Sequence, residues 1–120
     1  MKYMFVCYAG VNRSPTAVEV AMRLARKYGV KDFEAESFGY ANIPRGANVD
    51  KFNDADIVFA MDQQVVDNLF IKGVLLKKMC NLKIEDCYPI HEYPQLRREL
   101  EEILTSKLEL FFNGTEKNNL

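Results

Sequence analysis

KYMFVCYAGVNRSPTAVEVAMRLARKYG, residues 2–29, decides the fold. Its first six residues, KYMFVC, form an apolar and aromatic run without alternation, the pattern of a strand buried on both faces. YAGVNR then brings small and turn-forming residues. Ser14 followed by Pro15 reads as a helix start, with Ser14 as N-cap and the proline at the first helical position. Ala17, Val20, Ala21, Leu24, Ala25 and Tyr28 recur at three- and four-residue spacings, and Gly29 closes the helix.

Beyond this unit the pattern repeats. DFEAESF, residues 32–38, reads as a second strand, and GYANIPRGANVDKFN as a turn-rich segment with a short helix around Ala47–Phe52. DIVFAM, residues 56–61, is β-branched and apolar, a third strand. A helix is expected over Gln63–Ile71, a fourth strand over LKIED (82–86), and a last helix after Pro94 with Leu96, Leu100, Ile103, Leu104, Leu108 and Phe111 on one stripe. Four strand–helix alternations argue an α/β fold: a four-stranded parallel sheet, doubly wound, with helices on both faces in three α/β/α layers. Residues 1–112 are expected to be one domain and 113–120 a polar tail.

Bulk properties narrow the function classes. The chain has 120 residues, 48% hydrophobic and 28% charged, an ordinary globular composition. A net charge of -1 gives no global field for nucleic acid or an anionic membrane. No segment approaches the ~18 apolar residues of a membrane span. Three cysteines without paired spacing read as reduced thiols, which places the chain in the cytoplasm.

The chemistry lies between Cys7 and Ser14. A strand–loop–helix turn of this length can curl its N–H groups inward around a tetrahedral oxyanion, with the helix N-terminus adding positive potential. Arg13 offers a planar fork for two phosphate oxygens. Gly10 allows the loop a positive φ. The same field stabilises a thiolate on Cys7, and Ser14 can hydrogen-bond that sulfur. The product is a nucleophile aimed at phosphorus. A cysteine ending a buried strand is more often an apolar filler. Here the strand before it, the glycine within and the Ser-Pro cap after it are needed by the mechanism and not by packing.

CYAGVNRSPTAVE resembles the phosphate loop of the low-molecular-weight protein tyrosine phosphatases: Cys, five residues, Arg, Ser, Pro, then a small-residue helix. ESFG at 36–39 is similar to the Ser-Ala-Gly after that family's second strand. ADIVFAMDQQVVDNL at 55–69 resembles its Asp-hydrophobic-Met-Asp strand and helix. IEDCYPIHEYPQL at 84–96 is like the segment holding its acid, closest to a compact, short-chain branch of predicted phosphatases. The resemblance implies that Cys7 attacks phosphorus and forms a phosphocysteine. Arg13 and the amides of Tyr8, Ala9, Gly10, Val11, Asn12 and Arg13 would bind phosphate. Asp86 would serve as general acid and base, with Glu85 and Glu92 as fallback acids, and Ser14 would assist the leaving thiolate. It implies no cofactor and no metal. The substrate would be a phosphotyrosyl protein or a small aryl phosphate, with inorganic phosphate or sulfate as ligand. Tyr8, Tyr40 and Tyr88 are candidate walls for an aromatic ring. The chain departs from the family in having Gly10 where asparagine is usual, Asn12 where some members carry a second cysteine, and Cys87 where many have proline.

Two rival readings follow from the residues. Arsenate reductases of this fold combine the loop with two cysteines seven apart, as Cys80 and Cys87 are. Their first cysteine ends strand three, however, where this chain has Met61 and Asp62. Either cysteine is also a candidate redox partner of Cys7. The non-enzymatic reading is a phosphate- or phosphoprotein-binding module with weak turnover; a binder needs no general acid.

Overall fold

In the computed structural model, residues 1–10, 13–44, 46–85 and 94–113 are described. Among these residues the strands and α-helices follow one another as β1 (Lys2–Cys7), α1 (Arg13–Lys27), β2 (Glu34–Gly39), α2 (Asp50–Asn53), β3 (Ile57–Ala60), α3 (Gln63–Ile71), β4 (Met79–Asn81) and α4 (Pro94–Phe112). The strands form one parallel sheet in the order β2-β1-β3-β4. The chain leaves β1 toward β2 and later returns past it to β3, so the winding reverses between β1 and β3. In sheets of this kind ligands settle at such a reversal, outside the strands' carboxyl ends. Cys7 is the last residue of β1.

Alternate residues of β1 serve two cores. Tyr3, Phe5 and Cys7 pack with α1 and α4, against Leu24, Phe59, Leu100, Leu104 and Leu108. Met4 and Val6 pack on the other face with Phe52, Val58, Val65 and Leu69. Both faces of the strand are covered, which is why KYMFVC carries no polar alternation. Helix α1 ends where Gly29 takes a φ of +65° and Val30 N–H reaches back to Ala25 O at 2.9 Å, a Schellman closure. Among the described residues no helix is long and apolar enough to cross a membrane.

Several boundaries differ from the sequence expectation. The fourth strand is Met79–Asn81, not Leu82–Asp86. Leu82 and Ile84 are buried and still donate to Ala60 O and Met61 O, at 2.8 and 2.7 Å. Between them Lys83 turns to a φ of +56°, its N–H held by Asn81 Oδ1 at 2.8 Å. The Asn81 side chain thus ends the ladder, and the buried Leu82 and Ile84 imitate strand alternation. The second strand begins at Glu34 because Asp32, at a φ of +56°, breaks the extended backbone before it. Helix α1 starts at Arg13, which places Ser14 and Pro15 within its first turn rather than at N-cap and N1. Proline is still accommodated, since first-turn N–H groups lack helical acceptors. Val11, Asn12, Asp86, Cys87, Tyr88, Glu92 and residues 114–120 lie outside the described residues.

Candidate functional site

At the end of β1 the Cys7 side chain is buried. Gly10 N–H donates to its sulfur at 3.1 Å, and Ser14 Oγ lies 3.1 Å from the same atom. Ser14 also reaches Phe38 O at 3.4 Å. The hydroxyl spent on sulfur is therefore the one expected to cap the helix. A backbone amide directed at sulfur suits an anionic acceptor better than a neutral thiol.

Gly10 and Gly39 make this turn possible. Gly10 has a φ of +73°, and a Cβ there would fall 2.7 Å from Gly39 N. A Cβ on Gly39 would fall 2.3 Å from the carbonyl carbon of Ala9. The loop lies directly on the end of β2, so asparagine at position 10, usual in the resembling family, has no room in this chain.

Arg13 is 2% exposed, yet it is anchored from outside its own helix. Its Nη1 donates to Asp62 Oδ2 at 2.8 Å and to Ile84 O at 2.7 Å. The other oxygen of Asp62 accepts Val65 N–H at 3.0 Å and so caps α3. One carboxylate therefore starts a helix and, together with Ile84 O, holds the guanidinium in place. The end-of-strand position of Asp62 already implied that it shares the sheet's carboxyl edge with Cys7; its hold on Arg13, and that of Ile84 O, are what sequence reasoning missed. An Asp directly before a helix is a cap signal; its second role depends on β3 lying beside β1.

The expected site residues divide as follows. Cys7, Arg13, Ser14, Ala9 and Gly10 come together. Tyr8 is 54% exposed at the rim, its ring edge-on to Tyr40 with centroids 5.2 Å apart. Tyr40 is only 6% exposed and belongs to the core on the α3 side, so it backs Tyr8 instead of forming a wall itself. Cys80 does not join the site. It pairs with Phe59, which pairs with Phe5. At ~4.8 Å per strand and ~3.3 Å per residue, its Cα stands ~12 Å from that of Cys7. A disulfide spans roughly 4.4–6.8 Å between Cα atoms, so Cys80 is no direct redox partner of Cys7 in this arrangement. An arsenate-reductase relay through Cys80 loses its first exchange step for the same reason. Asp86, Cys87, Tyr88, Val11 and Asn12 lie outside the described residues.

Residues 2–51, which hold Cys7, Arg13 and Ser14, match the family model described as "Low molecular weight phosphotyrosine protein phosphatase". Over these residues the chain is similar to that family. Solved low molecular weight phosphatase structures extend the likeness to the remaining elements. A protein tyrosine phosphatase from Entamoeba histolytica superposes with a TM-score of 0.77 at 19% identity, covering 100% of this chain and 99% of its own. A low molecular weight protein tyrosine phosphatase from Bacillus subtilis gives 0.70 at 24% identity, covering 91% and 97%. The YwlE arginine phosphatase, as a C7S mutant phosphorylated on its active-site serine, gives 0.69 at 21%, covering 98% and 99%. At these identities the likeness is one of fold. No curated protein matches the chain. The low molecular weight phosphatase family works through a cysteine nucleophile. Cys7 and Arg13 stand where that chemistry requires them, at the carboxyl end of β1 and the start of α1.

Proposed function

We propose that the protein is a metal-independent phosphomonoester hydrolase acting on phosphotyrosyl proteins or small aryl phosphates. The observation that carries this reading is the Cys7 sulfur, which receives the Gly10 amide and lies against the Ser14 hydroxyl beside an anchored Arg13. In the first step the Cys7 thiolate attacks phosphorus. The bond from phosphorus to the leaving oxygen breaks, and Asp86 gives that oxygen its proton. Arg13 and the amides of residues 8–13 hold the phosphoryl oxygens as charge builds on them. In the second step water attacks the phosphocysteine, Asp86 takes the water's proton, and phosphate leaves. Ser14 donates to the departing sulfur. A nucleophilic thiol at Cys7 suits the reducing cytoplasm as its setting.

The test compares 4-nitrophenyl phosphate and phosphoarginine as substrates for wild type, Cys7→Ser and Asp86→Asn. Expected are turnover of the aryl ester, none in Cys7→Ser, and a loss of about 10²-fold or more in Asp86→Asn. Phosphate binding without turnover would instead make the chain a binding module. A preference for phosphoarginine would overturn the ester assignment.

A further inference from the structure

The phosphate loop has a second side. Across it from Arg13 and Asp62, on the flank of β2, lies a cleft of about 380 Å³. Ala9 and Gly10 form its wall toward Cys7, Phe38, Ile43 and Phe52 give it apolar surface, and Lys51 brings a cation. Neither Cys7 nor Arg13 lines it. Lys51 Nζ stands 4.1 Å from the Phe38 ring centroid and 5.4 Å from that of Phe52, so the ammonium is held over aromatic faces within the cleft. No carboxylate is among the described residues that line it. Its chemistry therefore suits an apolar group accompanied by negative charge.

The cleft borders the reaction site, with Ala9 and Gly10 as the wall between them. They follow Cys7 by two and three residues, so the wall of the cleft lies within ~10 Å of Cys7 at ~3.5 Å per residue. A peptide carrying phosphotyrosine at Cys7 can bring a residue two or three positions away to this cleft.

Resting on the phosphotyrosyl reading above, we propose that the cleft is a substrate subsite. It receives an apolar side chain two or three residues from the phosphotyrosine, and an acidic neighbour of that side chain pairs with Lys51. The subsite would select substrates by sequence, while the phosphate loop selects only the phosphoryl group.

The experiment uses two phosphotyrosyl peptides, one flanked by leucine and glutamate and one by serine and lysine, with 4-nitrophenyl phosphate as a substrate too small to reach the cleft. Wild type should favour the first peptide by about 10-fold in kcat/KM, worth ~1.4 kcal/mol. Lys51→Glu and the cleft-filling Ala47→Trp should each abolish that preference and leave the 4-nitrophenyl phosphate rate unchanged. Equal use of the two peptides by wild type, or an undiminished preference in both variants, overturns the proposal. Should no ester be hydrolysed at all, the phosphatase reading fails separately. The subsite is then read from binding of the same peptides by fluorescence anisotropy. A Lys51-dependent preference for the first peptide supports it, and the lack of one overturns it.

Discussion

Asp62 joins two jobs in one carboxylate, and substituting it separates them. In Asp62→Ala the α3 cap is lost, at about 1 kcal/mol. Arg13, 2% exposed, also loses the Asp62 charge beside it. Breaking a fully buried pair costs about 3–5 kcal/mol. Asp62 is 29% exposed and Ile84 O remains, so about 2 kcal/mol is the appropriate share here. The total is about 3 kcal/mol. Asp62→Asn presents one acceptor oxygen where the carboxylate uses two. If that oxygen keeps the Val65 cap, the amide NH2 faces Arg13, and the lost charged hydrogen bond costs about 2 kcal/mol. Urea unfolding should therefore rank wild type above Asn and Asn above Ala, with the last gap near the value of a cap. On the proposed mechanism a guanidinium displaced by about 1 Å costs on the order of 10²-fold in kcat/KM. Both variants should show that loss with 4-nitrophenyl phosphate, together with weaker inhibition by inorganic phosphate. Two variants equal to each other in stability, both within about 0.5 kcal/mol of wild type and inhibited normally by phosphate, would refute the idea that Asp62 holds Arg13.

Two further outcomes are expected. Gly39→Ala forces a methyl to 2.3 Å from Ala9, so it should lower stability by about 1–3 kcal/mol and weaken phosphate binding as the loop shifts; calorimetry and a phosphate titration measure both. Tyr3 is buried, and that burial, with Asp56 nearby, pushes its phenol up to about 12. Its contribution to stability is present below the ordinary value near 10 and is lost as pH rises toward 12. Ultraviolet titration should find one tyrosine ionising late and together with unfolding, and Tyr3→Phe should remove that late ionisation.

Local signals carried much of this molecule. KYMFVC showed a doubly covered strand, α3 began and ended at its expected residues, and Gly29 closed α1. The nucleophile, the arginine and the serine were legible because they fall within eight residues of one turn. Failures came where one side chain decided the backbone. Asn81 ends β4 by holding the Lys83 amide, and Asp32 delays β2; neither leaves a periodic trace. Ser14 showed capping chemistry, but a sulfur seven residues earlier claimed its hydroxyl. The role of Asp62 needed the strand order, and the burial of Tyr40 needed the packing of α3, neither of which is written in local spacing.

The anchoring of Arg13 has a consequence for biogenesis. Its partners Asp62 and Ile84 are 49 and 71 positions downstream, whereas the thiol, its amide donor and its hydroxyl are neighbours. As the chain emerges during synthesis, the reactive sulfur can be assembled long before the arginine is pinned. Competence must wait for residue 84 to dock, which ties the onset of chemistry to near-completion of the sheet.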